Sequence, residues 1–268
     1  EGMRVIKGFL IVITTMFVLA ITIPVYAEGT YTIDTRQIHN GIFSVDYSIG
    51  KNDKVKLMVQ KDGTTIYYDL MGDNDTEVFP LQMGEGSYTI AVLENISGNR
   101  YKQIIKETVE LANINPLDVF LQSIQIINWD NESNVVKKAD ELTKKLASDE
   151  EKVKVIYDYI ITNYSYDFEK TEIPYDYLPD IDKIAKTKKG MCYDFSSLFA
   201  SMLRSVNVPT KLVKGYGDKV KGYHAWNEVY LDGKWLTIDT SFDAQLAKNK
   251  QSISMYKDSG NYNKVSEF

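Results

Sequence analysis

The chain has 268 residues, 44% hydrophobic and 25% charged, with one cysteine, two histidines and a formal net charge of −6. That composition excludes disorder, collagen-like repeats and a polytopic membrane protein, and the length suits two domains of ordinary size. The lone thiol, Cys192, excludes an intrachain disulfide; with only His39 and His224 beside it it leaves too few ligands for a zinc site, and the acidic balance argues against a nucleic-acid partner.

Residues 1–27 read as a signal peptide. Arg4 and Lys7 precede an uncharged, largely apolar run from Phe9 to Val25, which ends in the small-residue cleavage pattern Val25-Tyr26-Ala27. The expected protein is secreted or held at the cell surface, with a membrane association only if this segment stays on as an anchor.

Residues 28–112 carry a period of two. Phe43, Val45, Tyr47 and Ile49 alternate with polar residues, as do Val55, Leu57 and Val59, and then Tyr88, Ile90 and Val92. Turn signals separate the runs at Gly50-Lys51-Asn52-Asp53, Asp62-Gly63, Gly72-Asp73-Asn74 and Gly84-Glu85-Gly86. Six or seven short strands predict a small all-β sandwich of immunoglobulin type. It contains no catalytic cluster; His39, beside the Asn40-Gly41 turn signal, reads as exposed or structural.

From 113 to 268 the period shifts toward helices. A helix is predicted over Asn134–Leu146. A Ser148/Glu151 capping box opens the next, whose buried stripe is Val153, Ile156, Tyr157, Ile160 and Ile161. A tyrosine-rich loop follows from Tyr164 to Tyr177. A further helix begins near Cys192, with Phe195, Leu198, Phe199, Met202, Leu203 and Val206 on its inner face, and Pro209 ends it. Strands fit Lys211–Tyr216, Tyr223–Leu231 and Lys234–Thr240, the last two joined by an Asp232-Gly233 hairpin.

This order places the scarce chemistry. The amides at a helix N-terminus carry about half a positive charge, favour a thiolate and can cradle an oxyanion, so Cys192 at the start of a helix is a candidate nucleophile. If the hairpin turns on Asp232-Gly233, Val229 faces Leu236 and Trp226 faces Asp239. His224 then lies diagonal to Asp239 on the same face, at the about 7–8 Å that lets side chains meet. An aspartate so placed holds the imidazole in one tautomer and stabilises its charged form.

Four segments, Gly190-Met191-Cys192-Tyr193-Asp194-Phe195-Ser196, Leu203-Arg204-Ser205-Val206-Asn207-Val208-Pro209, His224-Ala225-Trp226-Asn227-Glu228-Val229 and Trp235-Leu236-Thr237-Ile238-Asp239-Thr240, follow one another in an order and spacing that resembles the core of the transglutaminase-like superfamily, over residues 150–243. The resemblance implies an α+β fold: a papain-like core of helices packed on an antiparallel sheet, preceded here by the β-sandwich. It also implies a Cys-His-Asp triad, carried by Cys192, His224 and Asp239. Many members have proline after the aspartate where this chain has Thr240, a departure expected to alter the turn and not the chemistry.

The implied reaction is acyl transfer from a protein or peptide carboxamide through a thioester on Cys192. A second oxyanion donor is needed beside the Cys192 amide; no glutamine lies close upstream, and Tyr166 is the candidate. Trp226 is the other candidate near the substrate, although packing beside the histidine is its weightier reading. With an amine as acceptor the chain is an exported cysteine acyltransferase; with water it is a peptidase or deamidase; a non-catalytic binding or assembly module is the third reading. The partner expected is a protein or peptide, at the cell surface in one reading. No Asp-x-Asp-x-Asp-Gly loop is present, so neither metal nor cofactor is expected.

Overall fold

A computed structural model describes residues 30–48, 54–71, 75–170, 174 and 177–268. The signal peptide expected at 1–27, Ile49, and the turns expected at 50–53 and 72–74 lie outside the described residues.

The alternating runs form seven strands: β1 (Thr30–Asp34), β2 (Ile42–Ser48), β3 (Val55–Lys61), β4 (Thr64–Leu70), β5 (Asp75–Pro80), β6 (Gly86–Ser97) and β7 (Arg100–Leu111). They build two antiparallel sheets, in the orders β1-β2-β5 and β4-β3-β6-β7. Phe43, Val45 and Tyr47 from one sheet and Val55, Leu57, Val59, Tyr88, Ile90 and Val92 from the other are buried in one shared core. This is the burial that a period of two dictates. Asp62 and Gly63 both take positive φ, 47° and 80°, the backbone that a two-residue hairpin needs between β3 and β4. His39 is exposed in a short 3₁₀ turn.

The second half comprises α1 (Asn134–Thr143), α2 (Asp149–Asn163), β8 (Ser165–Tyr166), α3 (Ile181–Thr187), β9 (Lys189–Gly190), α4 (Cys192–Ser205), β10 (Thr210–Gly217), β11 (His224–Leu231), β12 (Lys234–Ile238), α5 (Thr240–Lys248), β13 (Tyr256–Lys257) and β14 (Tyr262–Glu267). A five-stranded antiparallel sheet in the order β13-β12-β11-β10-β14 carries helices packed against it, with α4 lying on β10 and β11. The predicted capping box is present: Ser148 Oγ accepts from the Glu151 amide, and Glu151 accepts from the Ser148 amide. The hairpin register is also as read, with Val229 opposite Leu236. Among the described residues no helix is long and apolar enough to cross a membrane.

Three features depart from the sequence reading. Helix α4 has no inner and outer face; from Cys192 to Arg204 every residue is buried, because the helix is the axis on which the other elements pack. Helices α3 and α5 and strands β13 and β14 were not foreseen. β12 stops at Ile238, one residue before Asp239, which leaves the ladder to cap α5. Helix α4 is fastened by buried Arg204, whose guanidinium donates to the carbonyls of Thr210 (2.9 Å), Gln122 (2.7 Å) and Phe268 (3.1 Å). Replacing it removes all three bonds at once and leaves the Phe268 carbonyl only the Leu212 amide. Arg204→Met is expected to lower the unfolding free energy by about 3 kcal/mol in a denaturant titration.

Candidate active site

Cys192 is the first residue of α4 and is buried. Asp194, two residues on, turns back so that its Oδ2 accepts from the Met191 amide at 2.8 Å, and the Tyr177 hydroxyl donates to its other oxygen. The turn is tight enough to require glycine just upstream: a Cβ on Gly190 would stand 2.6 Å from that of Asp194. β9 ends at that same glycine and pairs in parallel with β8, setting Tyr166 opposite Gly190. The Tyr166 hydroxyl thereby lies beside Cys192, close enough for that residue to act on its ionisation. Burial, and then the sulfur, push its pKa up to about 12, so it stays a protonated donor.

His224 opens β11 and is buried. Its Nε2 donates to Asp239 Oδ2 at 2.7 Å, which leaves Nδ1 as the ring nitrogen for Cys192. Asp239 is fully buried. One oxygen takes His224 and the Tyr262 hydroxyl (3.1 Å); the other takes the Ser241 hydroxyl and the Phe242 amide, each at 3.0 Å. The aspartate is at once a helix cap and the partner of the histidine. Thr240 occupies the first position of α5, where a proline loses nothing because that amide has no partner within the helix.

Burial alone would drive both partners toward their neutral forms. For His224 the hydrogen bonds and charges of Asp239 and Cys192 outweigh it and raise the pKa to about 10. For Asp239 burial raises the pKa, but the bonds to His224, Phe242 and Ser241 win and hold it below its ordinary value. The arrangement is an imidazolium bound to an ionised carboxylate, with the Cys192 sulfur on its other side.

Trp226 is fully buried and sits behind His224, the rings 6.3 Å apart and nearly parallel, with Tyr262 packed on its far side at 5.0 Å. It backs the histidine and is not in the wall of the cavity. Gly215, opposite His224 in the ladder, lets this stack close: a Cβ there would meet the Asn263 carbonyl at 2.1 Å and the Trp226 ring at 2.9 Å. Tyr262 was not found from sequence. It lies in a polar stretch, Asn261-Tyr262-Asn263-Lys264, with no apolar alternation to mark a strand.

Cys192 and His224 open on a cavity of about 280 Å³ walled by aromatic side chains, among them Tyr68, Tyr177, Tyr193 and Phe268. Part of the wall, Tyr67 to Met71, comes from the N-terminal sheets. Among the described residues no group of three or more His, Cys, Asp or Glu is placed to hold a metal.

A family model described as the transglutaminase-like superfamily matches residues 136–240. That stretch is similar to a transglutaminase-like core. It runs from α1 to the first residue of α5 and contains Cys192, His224 and Asp239. The chain is 25% identical to Kyphoscoliosis peptidase of Homo sapiens over 150 residues, 52% of this chain and 22% of that protein. It is 29% identical to the Mus musculus protein of that name over 131 residues, 45% of this chain and 20% of that one. It thus spans about a fifth of the length of these curated relatives. A crystal structure of a candidate cysteine protease from Cytophaga hutchinsonii is similar at TM-score 0.47 and 16% identity, covering 82% of this chain and 73% of that one. That of the periplasmic domain of TgpA from Pseudomonas aeruginosa is similar at TM-score 0.41 and 14% identity, covering 82% and 96%.

The charge state of His224 is directly measurable, because the chain has only one other histidine. The His224 pKa stands above its ordinary 6.5, so its ionisation stabilises the fold fully below about 6.5 and that contribution is lost as pH rises through about 10. Imidazole ¹⁵N spectra are expected to show His224 doubly protonated at pH 8 and titrating near 10. In Asp239→Asn the midpoint should fall by about 1–3 units. A wild-type midpoint near 6.5 contradicts the geometry.

Proposed function

We propose that the chain is a cysteine acyltransferase acting on protein or peptide carboxamides through a thioester on Cys192. The single observation that carries this is the buried relay in which Asp239 holds His224 and His224 holds the Cys192 sulfur at the mouth of a substrate-sized cavity. The sulfur attacks the carbonyl carbon, and the charge that develops on the oxygen is met by the Cys192 amide and the Tyr166 hydroxyl. His224 Nδ1 gives its proton to the departing amine as the C–N bond breaks. An acceptor amine then attacks the thioester, its proton passes to His224, and the thiolate leaves.

The aromatic lining of the cavity favours an amine with an apolar stem over water as the acceptor, since such walls match that stem. A second reading, hydrolysis by the same residues, is supported by the name peptidase carried by the curated relatives. The apolar run expected to be a signal peptide supports action outside the cytosol, on exported or surface proteins.

Cys192→Ala and His224→Ala are each expected to reduce incorporation of a primary amine into a glutamine-bearing protein by about a thousandfold or more. Activity that survives both substitutions overturns the reading. Mass spectrometry of the wild-type products separates the two acceptors: an amine adduct supports the transferase, whereas a deamidated or cleaved product alone supports the hydrolase.

A further inference from the structure

Lys214 lies on β10 opposite Ala225, one residue along the ladder from His224, and lines the same cavity as Cys192 and His224. It is half-buried. Its ammonium rests on aromatic faces, 3.7 Å from the centre of the Tyr193 ring and 5.5 Å from that of Phe268. Among the described residues it forms no ion pair and no hydrogen bond, in contrast to the comparably buried Lys211 and Lys257, which are held by Glu267 and Asp243. The carboxylate in the cavity wall, Asp69, is already taken by Lys56. Among the described residues the group that acts on the Lys214 ammonium across the cavity is Cys192. Burial pulls the lysine pKa down to about 8, and the sulfur opposes that fall.

The energetic position of this side chain is incomplete. An ammonium on ring faces keeps part of its stabilisation through cation–π attraction. It nevertheless has three N–H donors, and partial burial strips them of water. A negatively charged oxygen entering the cavity would form a charge-assisted bond in a setting where screening is weak. The surrounding tyrosines offer apolar walls to the remainder of such a ligand, the usual composition of a binding pocket with one orienting charge.

We propose that Lys214 determines specificity by binding a carboxylate of the acyl donor, so that the preferred substrate carries a negative charge close to the reacting carbonyl. This rests on the reading that Cys192 is the nucleophile of the cavity. The carboxylate belongs to an acidic side chain or to the free C-terminus of a peptide.

Alkylation of Cys192, followed by mass spectrometry, tests the proposal without requiring turnover, so a failure here is distinct from a failure of the acyltransferase reading. The ratio of alkylation rates by iodoacetate and iodoacetamide in the wild type should exceed that of a free thiol by about tenfold, fall back in Lys214→Met and persist in Lys214→Arg. Protection from iodoacetamide is then compared for three peptides of equal length: one with glutamate next to glutamine and an amidated end, one neutral with a free C-terminus, and one neutral and amidated. At least one carboxylate-bearing peptide should protect the wild type at about a tenth of the concentration the neutral amide needs, and Lys214→Met should abolish the difference. Which of the two protects identifies the source of the carboxylate. A wild-type ratio equal to that of a free thiol, equal protection by all three peptides including none, or a preference that survives Lys214→Met overturns the proposal.

Discussion

The charge pair between His224 and Asp239 is the constraint on which the rest of the site depends. Both groups are buried, and an ionised pair in such a place is tolerable only when its remaining hydrogen-bonding capacity is filled. Asp239 is filled from four directions: His224, Ser241, the Phe242 amide and Tyr262. Two of these come from the first turn of α5 and one from β14, so the C-terminal elements exist in the site's chemistry as much as in its scaffold. With the aspartate held, the imidazole has one orientation, and the sulfur at the start of α4 receives the opposite ring nitrogen. The close approaches at Gly190 and Gly215 let the backbone come near enough for both halves of the relay to meet.

The N-terminal sheets are part of the same construction. Tyr68 on β4 packs edge-on against Phe268 at 5.7 Å, and Gln82 donates to the Glu267 carbonyl at 2.6 Å. The cavity wall that these contacts stabilise includes Tyr67, Tyr68 and Met71. The buried Cys192 thus acquires a pocket whose shape is set jointly by the β-sheets and the helical core. The ammonium of Lys214, without an ion pair or hydrogen bond among the described residues, lies in that pocket.

Much of this was legible before any coordinates. The Asp232-Gly233 turn set the register of β11 and β12, and the register set His224 diagonal to Asp239, because a two-residue hairpin leaves no freedom in the pairing. The Ser148/Glu151 box announced α2 for an equally local reason. What stayed hidden depended on distant partners. Tyr262 sits among polar residues and gains its role only when β14 adds to the sheet edge beside β10. Helix α5 starts on Asp239, a residue that reads as the end of a strand until its side chain is seen capping Phe242. Trp226 looked available to substrate, and its burial behind the histidine follows from the same long-range addition of β14. Lys214 follows Leu212-Val213 on a strand that already carries Lys211, and a second lysine there carries no signal until the cavity around it is formed.

The central claim is that the buried relay makes Cys192 a nucleophile that carries an acyl group. Intact-protein mass spectrometry after acid quench, within the first turnover of an activated glutamine ester, tests it most directly. The account predicts an added acyl mass that maps to Cys192, disappears with hydroxylamine and is missing in Asp239→Ala. An enzyme that turns the ester over with no such adduct, or with the adduct on another residue, contradicts it.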